Sequence, residues 1–241
     1  MPRLPFKQLA IGAGGGSQGF QLFDDFIGST TPMVLGWAQD VSGAGASVAV
    51  DTTLVSSSAA GVISLATGTT AAGRAVQFLG TLPIVVPAAP GSLNTEWRVR
   101  LPVLSVAAER FFANIGFQDN PDTSTEGVDA IGFRLPTDNV SLNWVAYVRK
   151  NNVEVSVDTG VAAVANAWQR LRIEADMTGG ARFYIGDSPG GADVLVATIT
   201  GPSLPIAAIA PCFKLVKTVG VTSRTMFADY AVVHGQYSPP R

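Results

Sequence analysis

The sequence predicts an all-β fold, a two-sheet antiparallel sandwich or jelly roll. Three observations support this prediction. Short runs in which apolar and polar residues alternate recur from Phe20 to His234, and a period of two is typical of half-buried strands. Clusters of Gly, Asn, Asp, Ser and Thr separate these runs at a spacing of roughly 8–15 residues, as in sandwiches. No apolar pattern of helical period continues beyond about two turns, so a helical fold is disfavoured.

The clearest strands alternate strictly. Trp97, Val99 and Leu101 fall on one face of a run whose other face carries Arg98 and Arg100. Such a run is half-buried, and the runs at 111–117 and 131–135 follow the same pattern. The residues that we expect in the core are Trp97, Val99, Phe111, Ile115, Phe133, Trp144, Trp168, Leu171, Ile173, Phe183 and Ile185.

Turn residues between strand runs predict two hairpins. The first covers 142–157 and turns at Lys150-Asn151-Asn152, because asparagine tolerates the positive φ of a tight turn. The second covers 171–185 and turns at Thr178-Gly179-Gly180. Residues 28–45, in contrast, are predicted to be turn-rich. The whole pattern corresponds to roughly twelve or thirteen strands.

The N-terminus predicts a segment separate from the sandwich. Residues 1–19 are expected to form an extended arm that ends in a Gly-rich hinge, 20–236 the sandwich domain, and 237–241 a tail. The arm carries three apolar residues ahead of the hinge, Phe6, Leu9 and Ile11. We expect these three to dock on a partner, and a disordered, solvated tail is the alternative.

Composition excludes several classes of function. Apolar residues make up 47% and charged residues 14% of the chain, against about 25% charged in ordinary domains. A surface this poor in charge is expected either to be covered by Ser, Thr, Asn, Gln and Gly or to be buried in an assembly. The net charge is −2, and no basic run suggests binding of nucleic acid or a membrane surface.

Cysteine content and hydropathy constrain redox chemistry and targeting. A single cysteine, Cys212, excludes an internal disulfide and is expected to be a buried apolar residue on a strand. No apolar run reaches the length of roughly 18 residues that a membrane span needs. The first residues, MPRLPFKQLAIG, lack the apolar stretch of a signal peptide. We therefore expect synthesis in a cytoplasm.

Two carboxylates, Glu174 and Asp176, lie on one predicted strand face, as a glycosidase pair would. Carboxylates that flank a glycosidic bond can serve as acid and nucleophile. The next position on this face is Thr178, and Arg172 and Arg182 are expected beside the carboxylates. Cross-strand ion pairing on a solvated face explains the pattern better. No catalytic residue is predicted, and the chain is expected not to be an enzyme.

An acidic loop offers candidate calcium ligands. Asp119, Asp122 and Asp129 crowd one segment together with Glu126, and hard oxygen ligands on a loop can hold Ca²⁺. Their spacing matches no calcium-loop pattern, so a plain polar loop is preferred and no cofactor is expected. The only histidine, His234, is expected to be structural or exposed. The tryptophans are expected mainly in core packing, with a sugar-stacking platform as the alternative for one or two of them, the four being Trp37, Trp97, Trp144 and Trp168.

Several short motifs together resemble a known family. They are Asp24-Asp25-Phe26, Gly36-Trp37, residues 61–70 (GVISLATGTT) with Gly73-Arg74, Glu109-Arg110-Phe111, Ile115-Gly116-Phe117, residues 168–173 (WQRLRI), Phe183-Tyr184-Ile185, Lys217-Thr218-Val219-Gly220, Arg224-Thr225 and Asp229-Tyr230. Over residues 22–234 the chain resembles the concanavalin A-like (laminin G-like) structural proteins of tailed bacteriophages.

The resemblance implies a role in a virion. Such sandwiches serve as head decorations, head fibres or tail fibre components, and they have no catalytic residues to transfer. We expect the arm to dock on other capsid or tail proteins and the sandwich to form a homo-oligomer, with a trimer as the leading form. The alternative is a carbohydrate-binding, lectin-like receptor module that binds a host surface glycan. A glycan depolymerase is the third interpretation.

Overall fold

The computed structural model describes residues 8–14, 17–26, 36–54, 61–80, 84–86, 91–136, 142–186, 192–200 and 203–237. These residues form sixteen β-strands and no α-helix. Within them, accordingly, no helix is long and apolar enough to cross a membrane. The strands form two antiparallel sheets that pack as a sandwich, so the predicted fold class is confirmed.

The sixteen strands are numbered in their order along the chain. They are β1 (Gln8–Gly14), β2 (Ser17–Asp24), β3 (Trp37–Ser42), β4 (Ala46–Val50), β5 (Ile63–Thr67), β6 (Arg74–Leu79), β7 (Ser92–Arg100), β8 (Arg110–Gln118), β9 (Ala130–Leu135), β10 (Asn143–Lys150), β11 (Val153–Ala162), β12 (Trp168–Asp176), β13 (Gly180–Gly186), β14 (Val194–Ile199), β15 (Ala210–Val219) and β16 (Thr225–Tyr237).

The two sheets differ in connectivity. The nine-stranded sheet has the order β1-β2-β16-β7-β12-β13-β14, with β5 also paired to β16 and β4 to β5. The seven-stranded sheet has the order β11-β10-β9-β8-β15-β6-β3. Consecutive strands β8 to β11 are antiparallel neighbours in this second sheet, so the β8–β9 loop and the β10–β11 turn lie at the same end of the sheet.

Both predicted hairpins are present. β10 and β11 pair from Lys150↔Val153, and Asn151 and Asn152 adopt φ of 51° and 65° in the turn between them. β12 and β13 pair through Asp176↔Gly180. Two details differ from expectation. Strand β3 lies inside the segment predicted as turn-rich, and the described residues alone contain more strands than the predicted twelve or thirteen.

The core lies between the inner faces of the two sheets. Every predicted core residue is buried except Trp168. Phe133 from one sheet meets Phe183 from the other edge-to-face, with ring centroids 5.3 Å apart. Trp168 pairs with Arg100 and lies on the outer face, where the Arg98 guanidinium carbon sits 4.8 Å from the centroid of its ring. The core prediction for Trp168 was therefore wrong.

The N-terminal residues that are described form strands of the larger sheet. β1 pairs with β2 from Gln8↔Phe23 to Gly14↔Ser17, and β2 pairs with the C-terminal half of β16. The boundary predicted between residues 19 and 20 falls inside β2, because β16 is 13 residues long and extends the sheet beyond it. Phe6 lies outside the described residues, and docking by Leu9 and Ile11 stays a prediction.

Candidate functional site

The loop between β8 and β9, residues 119–129, covers part of the outer face of the seven-stranded sheet. Lys214 on β15 donates from Nζ to the Thr125 carbonyl oxygen at 2.8 Å. The Asn152 amide in the β10–β11 turn donates to the Val128 carbonyl oxygen at 2.9 Å. The loop is therefore fixed to the sheet at both its middle and its end.

Lys214 is completely buried beneath this loop. Besides Thr125, its ammonium group donates to Oε1 of Gln118 at 2.8 Å, and Nε2 of Gln118 donates to the Tyr147 hydroxyl at 3.2 Å. Burial lowers the pKa of Lys214 from its usual value, since it disfavours the charged form. The space between loop and sheet is thus a small polar core rather than an apolar one.

A cavity of about 750 Å³ opens beside the same loop. Its wall combines one aromatic ring, two guanidinium groups, one carboxylate and several small polar groups. The residues that line it are Phe112, Ser124, Thr125, Glu126, Val128, Arg134, Pro136, Arg149 and Asn152. The loop, the outer faces of β8, β9 and β10 and the β10–β11 turn together form this site.

Two glutamates and two arginines form a closed ring, three members of which line the cavity. Arg134 donates from Nη1 to both oxygens of Glu126 at 2.7 and 2.8 Å, and from Nη2 to Oε1 of Glu154 at 2.8 Å. Arg149 donates from Nη2 to Glu126 at 2.6 Å and to Glu154 at 2.7 Å. Each arginine therefore bridges both carboxylates, and the four side chains hold the loop in place through Glu126.

The ring changes the protonation of its members. Burial alone would raise the pKa of Glu154, but hydrogen bonds from Arg134 and Arg149 and their charges lower it overall. The two carboxylates raise the pKa of Arg134 despite the opposing effect of burial. Glu154 is therefore held as a carboxylate. It lacks the raised pKa that a glycosidase general acid needs.

The structure does not bring the candidate calcium ligands together as a set, although the Asp119 amide donates to the Asp129 carbonyl oxygen at 3.0 Å. Asp119 and Asp122 line a smaller cavity of about 260 Å³, whereas Asp129 is buried and accepts a long hydrogen bond of 3.4 Å from the Asn151 amide. Glu126 belongs to the arginine ring. Across the described part of the chain, no group of three or more His, Cys, Asp or Glu side chains could hold a metal ion.

Glu174 and Asp176 lie on the opposite side of the molecule, on the outer face of the nine-stranded sheet. Glu174 contacts Arg172, lies 3.4 Å from Arg182 and accepts a hydrogen bond from the Tyr184 hydroxyl at 3.0 Å. Asp176 caps the turn after β12, accepting from the Thr178 amide at 2.9 Å. The pairing of Glu174 with both arginines was predicted and is present.

The remaining predicted residues have structural positions. Cys212 is buried on β15, as predicted, and burial raises the pKa of its thiol to about 12. His234 is half-buried on β16, opposite Asn94 and Gln21. Trp37, Trp97 and Trp144 are buried, so three of the four tryptophans belong to the core as expected.

Sequence reasoning missed the residues that line the larger cavity. The alternation that buries Phe111 and Phe133 also places Phe112 and Arg134 on the outer face, so part of the signal was present. The return of the loop over that face had no signal in the sequence.

Comparison with known proteins identifies the family. The profile of the SO2946-like C-terminal domain matches residues 58–229. That match covers most of the chain, so the chain belongs to the SO2946-like C-terminal domain family. A search of curated proteins gave no match.

Solved structures place the fold among concanavalin A-like sandwiches. SO2946 from Shewanella oneidensis MR-1, a protein of unknown function, is similar with a TM-score of 0.69 and 14% identity over 97% of this chain and 92% of that one. An endo-1,3-beta-glucanase from Streptomyces sioyaensis has a TM-score of 0.59 and 15% identity, and the match covers 95% of this chain and 100% of the glucanase. Peanut lectin has a TM-score of 0.58 and 12% identity, and the match covers 90% of this chain and 97% of the lectin. At these identities the likeness shows the fold alone.

Proposed function

We propose that the chain is a non-catalytic carbohydrate-binding domain and that the cavity beside the β8–β9 loop is its glycan site. The observation that carries the proposal is the composition of this cavity. The Phe112 ring offers an apolar surface for a sugar ring, and Arg134, Arg149 and Asn152 offer planar polar groups for hydroxyls. Ligand sites in proteins typically combine apolar surface with a few polar groups of this kind.

The shared architecture supports the proposal in a general way. The sandwich resembles both a lectin and a glucanase, and folds host different functions through the sites built on them. In this chain the outer face of the seven-stranded sheet carries an open cavity of about 750 Å³, large enough for a short oligosaccharide.

The carboxylates of the site favour binding over hydrolysis. Glycoside hydrolysis needs one carboxyl group that is protonated near neutral pH and a second that is free to attack or to activate water. Glu126 and Glu154 instead accept hydrogen bonds from both Arg134 and Arg149. The lowered pKa of Glu154 opposes the role of general acid.

Retention on immobilised polysaccharides tests the proposal. A panel of uncharged and acidic polysaccharides would be screened with the wild type, Phe112→Ala and, as a matched control, Phe23→Ala on the outer face of the other sheet. We expect retention by at least one polysaccharide, its loss in Phe112→Ala and its persistence in the control. Release of reducing sugar ends from any of the polysaccharides would contradict the proposal that the domain is non-catalytic. Failure of every polysaccharide to bind would overturn the proposal.

A virion role is the second candidate. None of the three structures compared is described as a phage structural protein, so this role rests on the sequence resemblance and on two further observations. Charged residues make up only 14% of the chain, and β1 ends the order of the nine-stranded sheet, where a partner strand could be added. Docking on other virion proteins and assembly into a homo-oligomer are parts of this proposal. Co-sedimentation of the chain with phage particles would test it.

A further inference from the structure

The carboxylate oxygens of the ring are almost fully used as acceptors. Oε1 of Glu126 accepts from Arg134 at 2.7 Å and from Nδ2 of Asn114 at 3.3 Å, while Oε2 accepts from Arg134 at 2.8 Å and from Arg149 at 2.6 Å. Oε2 of Glu154 also accepts two hydrogen bonds, of 3.2 and 2.7 Å, and Oε1 accepts one of 2.8 Å. Since each oxygen has two lone pairs, a ligand hydroxyl would find little acceptor capacity here.

The guanidinium donors are less completely used. Nη1 of Arg149 donates to the Gly127 carbonyl oxygen at 3.2 Å, and no second acceptor for it is found in the described segments. Among the described residues, Nε of Arg149 is buried and has no hydrogen-bond partner. Nη2 of Arg134 donates only to Glu154 within the part of the chain that the structure describes. A guanidinium carries five N–H donors, so the ring holds more donors than acceptors.

The charged side chains at the cavity are those of the ring. Two guanidinium groups, of Arg134 and Arg149, and one carboxylate, of Glu126, line the cavity. Glu154 balances the ring, but its residue is not part of the cavity lining. The ring as a whole is neutral, so an acceptor-rich anionic group in the cavity would be bound by the N–H donors that the two carboxylates leave unused.

We propose that the glycan taken by this cavity is acidic and that the carboxylate of a uronic acid residue binds the free donors of Arg134 and Arg149. This proposal rests on the proposed function, since it specifies the ligand of the same site. A planar carboxylate matches the fork of a guanidinium and forms charge-assisted hydrogen bonds that are stronger than those of a neutral hydroxyl. The Phe112 ring supplies the surface for the sugar that carries the carboxylate.

Three polymers separate sugar recognition from charge. Calorimetry would compare polygalacturonate, uncharged dextran and poly-glutamate, the last of which carries carboxylates without sugar rings. We expect polygalacturonate to bind at least about tenfold more tightly than either of the others, as one charge-assisted hydrogen bond accounts for about this factor. Binding should weaken when ionic strength rises from about 0.01 to about 0.1 M, because salt screens exposed charges.

Variants of the ring test the assignment in opposite directions. Arg149→Gln should weaken polygalacturonate binding about tenfold, while Arg182→Gln, which removes the same charge on the far side of the molecule, should leave it unchanged. Glu154→Gln should strengthen binding, because it frees guanidinium donors and removes a negative charge. Thermal melts establish that each variant is folded, and Glu154→Gln still tests the proposal if Arg149→Gln does not fold.

The outcomes are distinguishable. If no polysaccharide binds, the proposed function itself fails. If dextran binds in the cavity as tightly as polygalacturonate, or if poly-glutamate binds equally well, the site is not specific for an acidic glycan although it is still a binding site. Unchanged affinity in both Arg149→Gln and Glu154→Gln would also overturn the assignment.

Discussion

Gly116 on β8 and Gly132 on β9 lie directly opposite each other, and neither position has room for a side chain. A Cβ on Gly116 would lie 2.3 Å from the Ile131 carbonyl oxygen, and one on Gly132 would lie 2.7 Å from the Ile115 carbonyl oxygen. The two strands therefore approach closely at the point where the Tyr147 ring packs over the sheet.

Gly116→Ala should lower the free energy of unfolding by about 1–3 kcal/mol, because Gly116 has a φ of 151° and the new methyl group meets backbone. Gly160→Ala is the matched control, since Gly160 has a φ of 69° but a Cβ there meets no atom within 4 Å. The control places a methyl group on a backbone of positive φ without a clash, and chemical denaturation measures both variants. Equal losses would show that the close approach of the strands contributes nothing.

Phe133→Ala should destabilise the fold by about 3–5 kcal/mol, the usual cost of emptying a buried aromatic site. Its ring is fully buried and packs edge-to-face on Phe183. Trp168→Ala should cost less although it removes more atoms, because Trp168 lies half-buried on the outer face under Arg98. Denaturation midpoints compare the two. A larger loss for Trp168→Ala would contradict the placement of that side chain.

Trp168 also illustrates what alternation could and could not predict. Leu171 and Ile173 face inward on β12, so Arg170 and Arg172 face outward. Trp168 is two residues before Arg170, so strict alternation already places it on the outer face. The apolar character of tryptophan led to the opposite assignment. Alternation did predict the inner faces of β7, β8 and β9, because burial imposes a period of two on each strand independently of its partners.

The candidate site could be predicted only in part. Alternation places Arg134 and Arg149 on the outward faces of their strands, and Glu154 follows the predicted turn. Their meeting with Glu126 depends on how the β8–β9 loop returns over the sheet, and the donors that fix the loop come from β15 and from the β10–β11 turn. Contacts between segments this distant in sequence follow from packing, which no local pattern records.

Acidification should weaken the arginine ring through Glu154. The pKa of Glu154 is lower in the folded chain than the ordinary value of 4.5, so its contribution to stability is complete above about pH 4.5 and is lost as the pH falls through the folded value. The free energy of unfolding should decrease less between pH 7 and about pH 3 in Glu154→Gln than in the wild type. Identical pH dependence in the two proteins would show that Glu154 is not held by the arginines.

Lys214→Met should loosen the loop without unfolding the sandwich. The variant loses the hydrogen bond to the Thr125 carbonyl oxygen, while it also relieves the cost of a buried ammonium group. Hydrogen exchange in residues 119–129 should accelerate about threefold to tenfold, the factor that corresponds to one lost hydrogen bond. Lys217→Met is the control, because Lys217 is also buried but donates to the Gly68 carbonyl oxygen, away from this loop. Accelerated loop exchange in the control alone would contradict the role of Lys214.

Removal of residues 1–14 should leave a folded sandwich. β1 pairs only with β2 among the described strands, whereas β2 remains paired with β16 after the deletion. We therefore expect the shortened chain to keep its β circular dichroism signal and a cooperative melt, as an intact single domain does. If Leu9 and Ile11 dock the chain on a partner, the deletion should also abolish co-sedimentation with phage particles. A folded variant that still co-sediments would place attachment on the sandwich. A variant that loses its cooperative melt would instead show that β1 is an essential strand of the nine-stranded sheet.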